Sequence, residues 1–197
     1  QRAPESLAEP AAAMTRTTGR MGVLLDALLE YNRAGLGAGM AVAKAPADLG
    51  AVSAEELELQ RAALPGANIE LAVRGNVQIE VDASRMREAL GNLVTNAVKH
   101  GLQSEPVTVT VQGEDDLVQI AVENAVAQTI PSAKIEGLFE PLRRGETRAN
   151  ADRSHLGLGL FISRQIARAH GGEVVGHCTP ERISFTITVP RSPPAEG

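Results

Sequence analysis

Three polar side chains share one face of a strongly indicated helix. Asn92 and Asn96 are four residues apart, and Lys99 follows three residues later. This spacing places all three on one side of a helix. Asparagine is a weak helix former, so two amides beside apolar core positions need a reason. The plainer interpretation is a solvated polar stripe. The alternative is chemical, because an amide oxygen can bind a hard cation such as Mg²⁺ while a lysine ammonium contacts phosphate.

A second segment has the composition of a phosphate-binding turn. Gly157 and Gly159 alternate in LGLGL, residues 156–160, where a loop is predicted to enter a helix. Without a Cβ atom, the backbone N–H groups at such a helix start can approach phosphate oxygens closely. Alternating glycines are common by themselves. Together with the asparagine and lysine face, they favour a phosphate site.

The elements that must position these residues follow from periodicity. Asp82 is predicted to cap a long helix over residues 83–99 that Gly101 ends, and a second long helix spans residues 157–170. Ser53, with Glu56 three residues later, is predicted to cap a shorter helix that runs to about residue 64. Alternating apolar residues predict strands at 69–74, 77–81, 107–112, 117–123, 173–177 and 183–189.

The order of these elements indicates the fold class. Helices recur between strand pairs, and each helix needs an apolar sheet face to cover, which predicts an α+β two-layer sandwich with helices on one side of a mixed sheet. Gly75-Asn76 is typical of a hairpin turn and predicts that the first two strands pair with each other. His170 lies at a helix end, where the helix dipole favours a histidine cation.

The two ends of the chain differ from this domain in composition. Residues 1–10 indicate a flexible end, and residues 192–197 a disordered tail. Residues 11–36 carry a heptad pattern through Met14, Met21 and Leu28, which predicts one long helix that packs on its own domain or pairs with another chain. The Gly- and Ala-rich stretch 37–47 is predicted to be a linker, which leaves residues 48–191 as the main domain.

Composition excludes several classes of partner. A net charge of −5 and an aromatic content of 2% disfavour nucleic acid and anionic membrane surfaces. Cys178 is the single cysteine, so no disulfide can form within the chain, and a reducing, cytoplasmic location is expected. No apolar run in the sequence approaches a membrane span of about 20 residues, and no membrane contact is expected of this segment.

Four separated segments resemble sensor histidine kinases. NLVTNAVKHG (92–101) is similar to their asparagine box, and FEPLRRGE (139–146) to their phenylalanine box. LGLGLFISRQIARAHGGEV (156–174) is similar to the second glycine box with its helix, and ALLEYNRA (27–34) to the second helix of the dimerisation hairpin. The resemblance implies a Bergerat-type ATP-binding fold with a mixed, mostly antiparallel sheet, preceded by one long helix. It also implies a phytochrome-like two-component kinase.

The resemblance assigns roles to individual residues. Asn96 would bind Mg²⁺ and Lys99 the phosphates of ATP, with Asn92 assisting and His100 near the phosphates or sugar. Asn124 would accept a hydrogen bond from adenine. The remaining binding positions are Phe139, Arg143, Arg144, Gly157, Leu158 and Gly159, of which the two arginines would neutralise the γ-phosphate. Related ATP hydrolases have a glutamate base where Asn92 stands, and an amide cannot take a proton from water, which favours a phosphotransferase.

The partners implied are ATP, a response regulator or phosphotransfer protein, and a second copy of the chain paired through residues 11–36. The acceptor histidine would lie on a helix outside this chain.

Two alternatives remain open at this stage. Where the family has glycines after Asn124, this chain has Val126 and Gln128, and His155 replaces the glycine that opens the second glycine box. These departures favour a degenerate domain that acts as a signalling scaffold. A serine/threonine kinase of the anti-sigma type would share the same ATP-binding fold, but ALLEYNRA and the Gly/Ala linker disfavour it.

Overall fold

A mixed five-stranded sheet with helices packed on its apolar face carries the candidate residues. The computed structural model describes residues 40–141 and 158–191, and the elements below lie within them. In chain order they are β1 Ala45–Asp48, α1 Leu49–Ala63, β2 Ile69–Arg74, β3 Gln78–Val81, α2 Ala83–His100, β4 Val107–Gly113, β5 Leu117–Ala125, α3 Ser132–Ile135, a 3-10 turn Glu136–Phe139, α4 Gly159–Ala169, β6 Glu173–Cys178 and β7 Arg182–Pro190.

The sheet has the strand order β2-β4-β5-β7-β6. Only the β2–β4 pair in this sheet is parallel, and the other three pairs are antiparallel. Alternate residues of the central strands are buried, as expected of a sheet with one covered face; in β5 and β7 these are Val118, Ile120, Val122, Ile183, Phe185, Ile187 and Val189. The predicted α+β sandwich with a mixed, mostly antiparallel sheet is therefore confirmed.

The predicted hairpin at Gly75-Asn76 is wrong. Instead, β2 pairs in parallel with β4, from Ile69 opposite Val107 onward, and β3 pairs with β1 in a separate two-stranded sheet. Gly75 does make a sharp turn, with φ of 70°, and a Cβ atom there would lie 2.4 Å from the carbonyl oxygen of Gly113. The turn therefore carries the chain out of the main sheet. The residues of the turn do not by themselves determine which strands pair.

The predicted cap of the first helix is also wrong. Asp48 is the N-cap of α1 and accepts a hydrogen bond from the Ala51 N–H at 2.9 Å. Ser53 lies inside the helix, fully buried, and its hydroxyl has no hydrogen-bond partner among the described residues. The true cap is therefore an aspartate five residues upstream, which is also the last residue of β1, a strand whose first three residues, 45–47, lie in the predicted linker.

The predicted ends of the helix α2 are confirmed. The Asp82 carboxylate accepts from the N–H groups of Ser84 and Arg85, and Gly101 is the C-cap residue. An apolar stripe of this helix is buried throughout: Met86, Leu90, Leu93, Val94 and Ala97. No helix within the described ranges is long and apolar enough to cross a membrane.

Candidate functional site

The helix α2 lies between α1 and α4, and its two flanks are chemically different. On one flank Thr95 contacts α1, where its hydroxyl lies 3.3 Å from the Gln60 Oε1 atom. On the other flank Asn92 faces the first residue of α4. Because successive residues of a helix are rotated by about 100°, Asn96 and Lys99 follow Asn92 on the α4 side.

The start of α4 lies directly against Asn92. A Cβ atom built on Gly159 would be 3.4 Å from both the Cβ and the Oδ1 atoms of Asn92. Leu158 is the N-cap of α4 and forms no side-chain cap hydrogen bond. The first N–H groups of this helix therefore lie beside Asn92 and receive no cap from the Leu158 side chain, an arrangement that suits an anionic group.

Asn96, Lys99 and His100 continue along α2. Asn96 is half-buried, whereas Lys99 and His100 are exposed in the last turn. A partly buried amide next to exposed cationic or polar side chains can hold a cation and its phosphates at the same time. Of the predicted face of Asn92, Asn96 and Lys99, the structure places Asn92 next to Gly159, and the joint role of the three side chains stays a prediction.

Asn124 lies where α2 ends. It is 3% exposed, and its Nδ2 atom donates to the Ala125 carbonyl at 3.0 Å, a carbonyl that also accepts from the Leu102 N–H at 3.0 Å. A Cβ atom on Gly101 would be 3.1 Å from the Asn124 Nδ2 atom. The glycine thus lets the helix end pack on this buried amide, which puts Asn124 beside the Lys99–His100 end of the face.

Phe139 lies in the hydrophobic core. It is 3% exposed, and its ring meets Phe185 edge-on at 5.9 Å between centroids. The Arg164 guanidinium lies over the same ring at 4.9 Å and also bonds Glu136 and Glu173 at 2.5 and 2.7 Å. This side chain therefore anchors the 3-10 turn to α4 and β7, and its predicted part in nucleotide binding stays a prediction.

The remaining candidates lie outside the described residues: Arg143, Arg144, His155, Gly157 and the predicted helix at residues 11–36. Of the departures from the family pattern, Val126 is half-buried and its N–H donates to the Glu181 carbonyl at 2.9 Å. Gln128 is exposed. In the described part of the chain, no group of three or more His, Cys, Asp or Glu side chains could hold a metal ion.

Sequence reasoning missed the role of His170, which is buried rather than a cation at a helix end. Its Nε2 atom accepts the Asp82 N–H at 2.9 Å, and its Nδ1 atom lies 2.7 Å from the Ile166 carbonyl. Only the neutral ring with its proton on Nδ1 satisfies both bonds. Burial lowers the pKa of His170 below 6.5, which agrees with that form. Since the partners are 88 and 4 residues away, no local pattern could have indicated the longer bond.

The residues present fit a magnesium-bound nucleotide. Gly159 leaves room beside Asn92 that a Cβ atom would occupy, and Asn124 presents a buried amide at the other end of the face. Nine residues of helix separate Asn92 from Gly101, a distance of about 13 Å along the axis at 1.5 Å per residue. An elongated ligand with an anionic end and a polar ring can span these two points.

Known proteins are similar to this chain in both sequence and fold. The family model described as histidine kinase-, DNA gyrase B-, and HSP90-like ATPase matches residues 81–193. A bacteriophytochrome of Pseudomonas aeruginosa is 32% identical over 177 residues, which make up 90% of this chain and 24% of the relative. The sensor protein VanSC of Enterococcus gallinarum is 31% identical over 124 residues, 63% of this chain and 34% of the relative. The chain thus spans a quarter to a third of these two relatives.

Solved structures of histidine kinases have the same fold. The histidine kinase AdeS of Acinetobacter baumannii superposes with a TM-score of 0.74 at 16% identity, over 97% of this chain and 87% of the other. Full-length ShkA, solved in complex with AMPPNP, superposes with a TM-score of 0.75 at 23% identity, over 100% of this chain and 41% of the other. Together with the match of the family model to more than half of the chain, they identify it as a member of the histidine kinase-, DNA gyrase B-, and HSP90-like ATPase family.

Proposed function

We propose that this chain is the catalytic, ATP-binding part of a two-component sensor histidine kinase. It binds Mg-ATP and transfers the γ-phosphoryl group to a histidine on a dimerisation helix outside the chain. The observation that supports this most is the contact between Gly159, at the start of α4, and Asn92, on the face that also carries Asn96 and Lys99. On this proposal the domain works in the cytoplasm, where ATP is available.

Each group has a role in the proposed site. Asn96 holds Mg²⁺ through its amide oxygen, and the ion when bound neutralises charge on the phosphates. Lys99 contacts the phosphates, and the N–H groups near Leu158 and Gly159 bind their oxygens. Asn124 orients the adenine. The other proposed contacts come from His100, Phe139, Arg143, Arg144 and Gly157.

The transfer itself is a displacement at phosphorus. The neutral acceptor imidazole attacks with its lone-pair nitrogen, a P–N bond forms, and the bond from the γ-phosphorus to the β,γ-bridging oxygen breaks. ADP leaves with that electron pair, and the proton on the other ring nitrogen goes to water. Asn92 cannot act as a base towards water, because its amide has no basic lone pair near neutral pH. This residue therefore supports transfer to an acceptor over hydrolysis.

A partner follows from the same proposal. Phosphohistidine made by such a domain is passed to a response regulator or a phosphotransfer protein, and a structure of the histidine kinase ThkA in complex with the response regulator TrrA is among those with this fold. Pairing of two copies through residues 11–36 is part of the proposal.

The second candidate is a degenerate kinase domain that acts as a scaffold. Val126 supports it, since a branched side chain stands two residues after Asn124 where the family has glycine. The Val126 N–H bond to Glu181 also fixes the backbone at this position. If the double variant Val126→Gly and Gln128→Gly binds Mg-ATP and the natural chain does not, the scaffold is the correct assignment.

Calorimetric titration with Mg-ATP tests the kinase proposal. We expect the natural chain to bind, and Asn96→Ala to weaken Mg-ATP binding by at least about tenfold, the loss of one charge-assisted contact. The same variant is expected to bind metal-free ATP as the natural chain does. Asn68→Ala, in an exposed loop position before β2, is the matched control and should change neither affinity. No binding at high micromolar Mg-ATP by the natural chain would contradict the proposal.

A further inference from the structure

Three contacts in succession join α2 to α4, which run antiparallel. Gly159 lies against Asn92 at the first, and the Ser163 hydroxyl lies 3.0 Å from the Ala89 carbonyl at the second. At the third, the His170 ring accepts the Asp82 N–H. The two helices therefore share the candidate site at one end and the Asp82–His170 contact at the other.

Asp82 has a separate partner for each carboxylate oxygen. Its Oδ1 atom caps α2 by accepting from Ser84 and Arg85 at 3.1 and 3.2 Å. Its Oδ2 atom accepts from the Ala43 N–H at 3.1 Å. One oxygen thus serves the helix, while the other holds the chain that leads into the domain.

His170 meets the same leading chain from the other helix. The Lys44 Nζ atom lies 3.4 Å from the His170 carbonyl oxygen, next to the Ala43–Asp82 bond. From the next residue, Ala45, the chain forms β1, and it then caps α1 through Asp48. The leading segment, defined as residues 43–48, therefore contacts the start of α2 and the end of α4 at one place.

We propose that Asp82 and His170 are positioning residues that couple the leading segment to α2 and α4, and thereby set nucleotide affinity at the opposite ends of these helices. The inference rests on the proposed function, since the affinity concerned is that for Mg-ATP. From Asp82 to Asn92 the coupling spans ten residues of helix, about 15 Å along its axis. Two packed helices joined at three points transmit a shift at one end to the other, because packed interiors deform little.

The contact also makes this coupling depend on the protonation of His170. A proton on Nε2 would face the Asp82 N–H, donor against donor, and break the bond between the helices. The charged groups around the ring act in opposite directions, since Lys44 disfavours the imidazolium and Asp82 favours it, while burial disfavours it most. The neutral ring is therefore the form in which the site is correctly positioned.

Asp82→Asn separates the two functions of the carboxylate. Asparagine is as good an N-cap as aspartate, so the amide oxygen keeps the α2 cap while the NH₂ group faces the Ala43 N–H. We expect Mg-ATP affinity to fall about fivefold to tenfold, the lower range of coupling between sites. Lys44→Met should change affinity in the same direction by a smaller factor.

A core truncation controls for general loss of stability. Val111→Ala shortens a buried side chain in β4, which pairs with Val73 and Ile120 rather than with the leading segment. We expect its Mg-ATP affinity to equal that of the natural chain. Unchanged affinity in Asp82→Asn, or an equal loss in Val111→Ala, would overturn the inference.

The pH profile of Mg-ATP affinity is a measurement that a purely structural role of His170 would leave unchanged. Mg-ATP affinity of the natural chain should fall more steeply from pH 7.5 to 5.5 than that of His170→Gln, whose amide stays neutral and can still accept from Asp82. Protonation of the nucleotide affects both proteins equally and cancels in the comparison. Parallel profiles would contradict the inference.

Hydrogen exchange distinguishes failure of this inference from failure of the proposed function. Without nucleotide, Asp82→Asn should exchange faster than Val111→Ala at amides of residues 90–99 and 159–163. If the natural chain binds no Mg-ATP but this difference is found, the proposed function fails and the positioning contact stands. If exchange at both segments is unchanged, the positioning contact itself is disproved.

Discussion

The Ser163 hydroxyl lies 3.0 Å from the carbonyl oxygen of Ala89, which joins α4 to α2 midway along their contact. Its oxygen is also 3.0 Å from the Gly159 carbonyl, so its single proton has an acceptor on either helix. Among the described residues, a second buried serine, Ser53, has a hydroxyl without a hydrogen-bond partner.

Ser163→Ala and Ser53→Ala should change stability in opposite directions. Both side chains are fully buried in helices. Removing the Ser163 hydroxyl loses its hydrogen bond and should lower the free energy of unfolding by about 1 kcal/mol. The Ser53 hydroxyl has no hydrogen-bond partner in the described part of the chain, so its removal should raise that free energy by about 0.5–1 kcal/mol, since alanine also has the better helix propensity. Urea unfolding measures both values, and equal signs would contradict the assignment of partners.

Gly172→Ala and Gly159→Ala should affect different properties. A Cβ atom on Gly172 would lie 1.8 Å from the Thr188 carbonyl oxygen, so the backbone must move, at about 2–3 kcal/mol of stability. On Gly159 the nearest atom is 3.4 Å away, an ordinary contact, and stability should stay within about 0.5 kcal/mol.

The same Gly159→Ala variant is expected to weaken Mg-ATP binding about tenfold, because its methyl group occupies the space beside Asn92 where a phosphate would accept a hydrogen bond. Thermal unfolding and calorimetry together separate the two effects. A fully active binding site in Gly159→Ala would show that no ligand approaches this helix start.

Arg164 should not be replaceable by lysine. Its guanidinium covers the Phe139 ring while it bonds Glu136 and Glu173, which a single ammonium cannot do in one position. Arg164→Met should cost about 1–2 kcal/mol, and Arg164→Lys most of that. Arg168→Met is the matched control, because that side chain is 49% exposed and Glu173 is its one ion-pair partner among the described residues. Its cost should stay below about 0.5 kcal/mol, and an equal cost for the two arginines would refute this role.

The pH dependence of stability should show the neutral state of His170. Because its pKa in the folded chain lies below the ordinary value of 6.5, the unfolded chain binds this proton first as the pH falls. Stability should therefore decline below about pH 6.5, down to the pKa of the folded state.

Two carboxylates act in a lower range. The Ala43 N–H holds the pKa of Asp82 below 3.8. Burial opposes the shift at Glu173, but bonds from the Val174 N–H and Arg164 hold its pKa below 4.5. The stability that these two groups contribute is lost only in stronger acid. Between about pH 4.5 and 6.5 the decline in stability should therefore come from His170, and His170→Gln should remove most of it. An unchanged decline in that variant would assign it to another group.

Sequence reasoning reached the elements and the face of α2 because both depend on local periodicity. Asp82 was identifiable as a cap, and Asn92, Asn96 and Lys99 as one face, from spacing alone. The pairing of β2 with β4 was not, since it joins strands 38 residues apart in sequence and competes with a good local turn signal at Gly75.

Contacts that depend on long-range packing were equally hidden. The sequence pattern around Arg164 is that of an ordinary solvated helix residue. In the structure its guanidinium covers the ring of Phe139, 25 positions earlier in the chain. The burial of His170 follows from where α4 ends against α2, which no pattern around AHGG specifies. Such residues become visible only once the elements are packed.

Paramagnetic broadening by Mn-ATP locates the bound nucleotide, because Mn²⁺ replaces Mg²⁺ and broadens the signals of nearby amides in a nitrogen-15 correlation spectrum. We expect the signals of Asn92, Asn96 and Gly159 to broaden first, while those of Glu70 and Thr110, on the other face of the sheet, stay sharp. Broadening centred away from the start of α4, or none at saturating Mn-ATP, would contradict the placement of the nucleotide between α2 and α4.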